Sequence, residues 1–235
     1  MNFSSRSYKK ELLDGENIPA ADIRQNMREL NVINTWLGGH AITVEGFRQI
    51  LQNRKKISVC EMGCGGGDNL LAIYKWCLKN KVDVQLTGID YNKDCIAVAS
   101  AQLPVAAQLI TADYKEVVFG THQPDIVFSS LFCHHFTDEE LQSMLQWMAR
   151  NAGLGFFIND LHRHFLAFYS IKILTRLFSK SYLVKNDAPL SVERGFVRRE
   201  WVSLLKLSGI SSFRVKWKWA FRWLITSQAV NANHL

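Results

Sequence analysis

One stretch constrains this chain more than any other. Residues 57–62 (Ile-Ser-Val-Cys-Glu-Met) form a short apolar run ending in an acid, and Gly63, Gly65, Gly66 and Gly67 follow within five positions. Asp68 and the run Asn69 to Trp76 then show helical apolar spacing, so the segment reads as strand, tight loop, helix. Glycines let the backbone take positive φ and approach a ligand closely, and the helix start offers unpaired N–H groups. No Gly-Lys-Ser/Thr follows, which excludes a P-loop. A dinucleotide fingerprint needs its third glycine where Asp68 stands, and a carboxylate there repels a pyrophosphate.

Three further strand ends follow in order. Val84 to Asp90 reads as a second strand whose terminal Asp90, roughly 20 residues past the loop, is placed to accept ribose hydroxyls. Gln108 to Tyr114 is a third strand carrying Asp113 near its end, and Pro124 to Phe132 a fourth, leaving through Cys133-His134-His135-Phe136. With Glu61-x-Gly63-x-Gly65-x-Gly67, these ends resemble the motifs of class I S-adenosylmethionine-dependent methyltransferases over about residues 55–160. The resemblance implies an α/β, Rossmann-like sheet of seven strands, mostly parallel with an antiparallel edge hairpin. It also implies helices on both faces, an N-terminal helical cap and a helical insertion after strand five. S-adenosylmethionine is the implied cofactor, a molecule without phosphate whose ammonium and sulfonium suit carboxylates. The implied cofactor residues are Glu61, Gly63, Gly65, Gly67, Asp90, Tyr91, Asp113, Tyr114 and Ser130.

Within that frame, residues 1–54 are expected to form the cap and 55–235 the core, with a lid helix at about 163–190. In the cap, residues 1–18 are loose or form a small helix, and a helix starting near Pro19 carries apolar positions Ile23 to Leu37. Arg24, Arg28, Asn34 and His40 are candidates to face the pocket, and a second helix runs from Thr43, as N-cap, to Gln52. In the core, helices fit 69–79, 92–102 and 137–150, and a fifth strand ends at Asp160. An apolar, basic helix is expected over 163–180, a loop over 181–191, a helix over 192–208 and two strands over 212–219 and 221–228. Methyl transfer to a hydroxyl or acidic carbon needs a proton acceptor, and histidine suits that task near neutral pH. The candidates are His134, His135, His162 and Asp160, with His164 beside them; each has a bland reading as a packing or capping residue. Arg194, Arg198 and Arg199 read as a solvated face.

Charge narrows the partners. The chain carries +7 overall, and from His162 onward 13 Lys and Arg face 3 acids, leaving the first two-thirds mildly acidic. That asymmetry points to an anionic acceptor, a membrane surface or nucleic acid. Asn/Asp-Pro-Pro-Tyr does not follow the fourth strand, where Ser130-Leu131-Phe132-Cys133 stands, so DNA is not an expected partner. The sequence looks more like ubiquinone/menaquinone-type and bacterial polyketide or phenolic methyltransferases, with a small, apolar, aromatic acceptor methylated at oxygen or carbon. Two alternatives stay open. The basic last third, with Trp217, Lys218, Trp219, Arg222 and Trp223, is also compatible with RNA binding, and the fold with a non-catalytic partner subunit. The five cysteines include no Cys-x-x-Cys, so buried thiols and no metal site are expected. The first residues are polar rather than leader-like, and no apolar run is long enough to span a bilayer. A cytoplasmic protein touching a membrane peripherally is the resulting expectation.

Overall fold

The computed structural model describes residues 3–15, 18–120 and 122–229. A 3-10 turn at Leu12–Asp14 precedes α1 (Ala20–Trp36) and α2 (Gly39–Leu51). Then β1 (Lys56–Met62), α3 (Asp68–Asn80), β2 (Asp83–Asp90), α4 (Lys93–Gln102), β3 (Gln108–Thr111) and β4 (Ile126–Ser130) alternate. After α5 (Asp138–Asn151) and β5 (Gly155–Leu161) come three helices, α6 (Phe165–Phe178), α7 (Tyr182–Arg194) and α8 (Arg198–Leu207). The hairpin β6 (Arg214–Lys218) and β7 (Arg222–Gln228) ends the described chain.

The seven strands form one sheet in the order β3-β2-β1-β4-β5-β7-β6. Strands β1 to β5 pair in parallel, and β7 pairs antiparallel with both β5 and β6. Successive side chains leave opposite faces of a strand. Accordingly Phe128, Phe157 and Leu224 pack under α2 and α3, while Val127, Phe156, Ile158 and Ile225 pack under α5 and α8. The strand order reverses between β1 and β4, which opens a crevice over their carboxyl ends, where ligands bind in open α/β sheets.

Three local expectations are corrected. The segment expected as a loop over 181–191 is the helix α7: the Ser181 hydroxyl caps its N-terminus, and Leu183, Val184, Pro189 and Val192 are buried. That burial outweighs the N–H that Pro189 lacks. The helix expected over 192–208 is interrupted at Gly195–Val197. There Phe196, fully buried, bridges to the chain beside His162, with its N–H on the Leu161 carbonyl at 2.9 Å. Thr43 is not an N-cap but lies inside α2, where its hydroxyl donates to Asn69 (3.0 Å) and accepts from Asn159 (3.1 Å). Met1, Asn2, Glu16 and Asn17, within the stretch expected to be loose or helical, lie outside the described residues.

Candidate active site

The glycine loop folds around its neighbours rather than around itself. Gly63 has φ 65°, and a side chain there would be driven into the Phe132 ring. The Cys64 N–H donates to the Ile89 carbonyl at 3.0 Å, which ties the loop to β2. At the end of β2, Asp90 accepts from the N–H groups of Gly65 (2.8 Å) and Asn92 (2.9 Å). Asp68, in the first turn of α3, holds the His40 Nε2 at 2.6 Å and the Asn34 amide at 3.1 Å. Glu61 is fully buried beneath the loop; no hydrogen bond of good geometry reaches its carboxylate oxygens, although the Asn69 side chain and the Leu70 N–H act on it from the start of α3. Burial first, then the charges of Asp68 and Asp90, pushes its carboxyl well above the usual range. Burial pushes Asp90 up as well, against the two N–H groups it accepts. Glu61, Asp68 and Asp90 thus bring three carboxylates around one loop. Carboxylates at the loop and the unpartnered buried hydroxyl of Ser130 fit a cofactor that brings an ammonium and hydroxyl groups.

The other half of the site is built on a single 3-10 turn, Cys133–His135, after β4. Leu131, which enters it, is held at φ 53°, a backbone region that concentrates at functional sites. The His134 Nδ1 lies 2.8 Å from Asp160 Oδ1, and the other Asp160 oxygen accepts from the Cys133 N–H at 2.8 Å. The His134 Nε2 lies 3.6 Å from Glu11. The His135 Nδ1 lies 3.1 Å from Asp14, with its Nε2 3.9 Å from Glu11. Glu11, His134 and His135 thus bring one ligand-type atom each within 4.8 Å of one another. Burial acts to push the His135 imidazole down, but the hydrogen bond to Asp14 and the charge of Glu11 outweigh it and hold it above its ordinary value. Asp160 is held below the usual carboxylate range, its burial outweighed by His134.

Both acids come from the N-terminal segment, which crosses the site as a strap. Asp187 on α7 accepts from the N–H groups of Leu12 (2.8 Å) and Leu13 (2.9 Å). Ser191 donates to Glu11 at 2.7 Å. Arg194, expected on a solvated face, is buried and donates to the carbonyls of His134 (2.9 Å), His135 (2.7 Å) and Lys9 (2.6 Å). Arg6 adds bonds to the carbonyls of Phe136 and Arg194 and an ion pair to Asp138 at 2.6 Å.

A cavity of about 840 Å³ joins the two halves. Gly63, Gly65, Asp90, Tyr91, Asp113, Tyr114, Ser130, His134 and His135 line it; Glu61 and Gly67 lie behind that lining. Tyr114 is buried edge-on against Phe132, Phe136 and Trp147. Asp160 acts from behind His134. His162 and His164 lie off the cavity, His164 stacked on Phe221 and His162 tilted against it, and burial pushes His162 down to about 4. Arg24 and Arg28 are exposed, His40 sits behind the lining on Asp68, and Asn34 lines the cavity.

Residues 59–153 match the methyltransferase domain family. The match takes in the glycine loop, the ends of β2, β3 and β4, and α5, so this part of the chain is similar to a methyltransferase domain. The fold recurs in solved structures of low sequence identity. The plantazolicin methyltransferase BpumL, solved with SAH, is 17% identical with a TM-score of 0.65, over 89% of this chain and 95% of its own. Human N-acetylserotonin methyltransferase, solved with SAM, is 14% identical with a TM-score of 0.63, over 90% of this chain and 56% of its own. Magnesium protoporphyrin IX methyltransferase from Synechocystis, with bound SAM, is 11% identical with a TM-score of 0.56, over 92% of this chain and 99% of its own. No curated protein matches the chain in sequence.

The methyltransferase motifs carry no signal for Glu11, Asp14, Asp187 or Arg194. Each meets its partner across roughly 60 residues of chain or more, and no local periodicity encodes such a contact. Only the pairing of a charged residue with an apolar helical face, as at Arg194 beside Val192, hints at an inward cation.

Proposed function

We propose that this methyltransferase transfers a methyl group from S-adenosylmethionine to an oxygen or carbon of a small, apolar, aromatic or polyketide-like acceptor. His135 is the proposed proton acceptor. The observation that carries this reading is the His135 imidazole, pinned by Asp14 and faced by Glu11, at the wall of the cavity that the acidic glycine loop also lines. Asp90, on the cavity wall, is the proposed partner of the cofactor's ribose hydroxyls, and Glu61, behind the lining, acts on its ammonium from beneath the loop. When bound, the cofactor supplies an electrophilic sulfonium methyl for in-line displacement. The protein's share is to align the acceptor, exclude water and take the proton. Ile171 and Leu174 of α6, Val184 and Val192 of α7 and Phe221 line the other end of the cavity, and this apolar wall supports an apolar acceptor. The structural neighbours are named for three unlike compounds, so the fold leaves the acceptor's identity to experiment.

The test is transfer of labelled methyl to a panel of phenols, quinols and β-dicarbonyls. A turnover loss of roughly 100-fold or more is expected for His135→Gln, the scale of general base catalysis, with affinity for S-adenosylhomocysteine kept. Full turnover in the variant would place the base elsewhere.

We also propose that α6 lies on an anionic membrane surface. One side of this helix lines the cavity; its other side exposes Phe165, Leu166, Tyr169, Ile173, Leu177 and Phe178 beside Lys172 and Arg176. Apolar bodies flanked by cations suit the headgroup boundary, and an apolar acceptor would then enter along the same helix. Among the described residues no helix is long and apolar enough to cross a membrane. Co-sedimentation with phosphatidylglycerol vesicles should exceed that with phosphatidylcholine vesicles and fall in a Leu177→Glu/Phe178→Glu double variant. Equal partitioning into both, unchanged in the variant, would refute it.

A further inference from the structure

Arg222 opens β7 at the active-site edge of the sheet, paired with Leu161 at the end of β5. It lines the cavity, yet only 3% of its surface is exposed. One guanidinium nitrogen, Nη2, donates to the Asn34 side chain at 3.0 Å. Nε and Nη1 are buried and have no partner. Every nearby carboxylate is committed elsewhere: Asp160 to His134, Cys133 and Leu161, and Asp68 to His40 and Asn34. Arg222 therefore makes none of the ion pairs seen among the described residues. Burial pushes its guanidinium down to about 10, so it still carries a full charge at neutral pH.

Such a group is costly to bury without a partner, and a structural role is better served by an apolar side chain of the same volume. The surroundings are arranged to keep it. Asn34 turns its amide oxygen to Arg222 and its amide N–H to Asp68, so it is fixed between the two charges. Gly39 leaves the space that this pair occupies, because a side chain there would overlap the Asn34 amide oxygen and lie 3.1 Å from the guanidinium carbon. The unpartnered N–H donors lie in one fixed plane and suit the charge-assisted hydrogen bonds that a carboxylate accepts.

We propose that Arg222, positioned by Asn34, binds a ligand carboxylate inside this cavity. Two sources offer that chemistry: the amino-acid end of the cofactor and a carboxylate on the acceptor. The first source rests on the cofactor reading above; the second does not.

Calorimetric titration of wild type, Arg222→Met and Arg222→Lys separates them. The probes are S-adenosylhomocysteine, 5′-methylthioadenosine (the same nucleoside without the carboxylate) and 4-hydroxybenzoate. If the cofactor supplies the carboxylate, wild type prefers S-adenosylhomocysteine over 5′-methylthioadenosine by more than about tenfold, the scale of a charge-assisted hydrogen-bond pair. Arg222→Met then abolishes that preference and Arg222→Lys restores part of it. If the acceptor supplies it, the nucleoside preference is the same in all three proteins, and 4-hydroxybenzoate binding is lost in Arg222→Met. A purely structural Arg222 would lower the melting temperature of Arg222→Met while leaving both binding ratios unchanged, and that result overturns the proposal. Failure of wild type to bind either nucleoside would count against the cofactor reading alone, provided 4-hydroxybenzoate still binds in an Arg222-dependent way. No binding of any of the three probes overturns both.

Discussion

His135 and Asp14 illustrate what single side chains decide here. His135 is held above its ordinary 6.5, so its pairing contributes stability that is complete below that value and is lost as pH rises through the raised one. Asp14 is held below its ordinary 3.8, its burial outweighed by the hydrogen bond to His135, so its contribution is complete above that value and is lost as pH falls. The melting-temperature gap between wild type and Asp14→Asn is therefore expected to be widest between these two ordinary values and to narrow on either side; a gap that does not vary with pH would exclude the pair. Turnover should rise with pH through the raised His135 value, and Asp14→Asn should move that rise to lower pH. At Gly63, a single added methyl meets both a φ of 65° and the Phe132 ring, so Gly63→Ala should destabilise the protein by about 1–3 kcal/mol in a denaturant titration. Gly63 was legible in the sequence because a loop that must turn tightly shows its glycines. Asp14 was not, because nothing within 100 residues of it in the chain reports the histidine it meets.

At the scale of elements, the segment expected as a lid is two helices, α6 and α7, where one helix and a loop were expected. The polar Lys185-Asn186-Asp187 and the proline at 189 look like loop chemistry, yet Asp187 turns inward to cap the Leu12–Asp14 turn, and Pro189 is buried. Tertiary contact overrides local propensity there, as it does at Gly195–Val197, where pairing with the chain beside His162 breaks the expected long helix. The junction between α6 and α7 is held from α1. Glu29 accepts from the Ser179 hydroxyl and from the N–H groups of Lys180 and Ser181 (both 3.1 Å). Glu29→Ala should free this junction without touching the cavity wall. Limited proteolysis is expected to cut near residues 179–181 faster than in wild type; unchanged cutting would mean that helix packing alone holds the lid.

Across the whole molecule, the mostly parallel seven-stranded sheet, the edge hairpin and the glycine loop were readable because strand periodicity and glycine placement are local signals. The packing of residues 3–15 over the site was not, since they reach α7 and the turn after β4 through Arg6 and Arg194. Replacing Arg194 with Met strips three carbonyls, one buried and two part-buried, of their donor and should cost roughly 3 kcal/mol of stability, with a matching fall in turnover as Glu11 and Asp14 lose their anchor. The central claim is that the acidic glycine loop and Asp90 hold S-adenosylmethionine. Calorimetric titration with S-adenosylhomocysteine, beside NAD and with Asp90→Ala, tests it most directly. Micromolar binding of S-adenosylhomocysteine alone, weakened at least about tenfold in the variant, is the predicted result. Binding of NAD instead, or an affinity for S-adenosylhomocysteine that Asp90→Ala leaves unchanged, would contradict it.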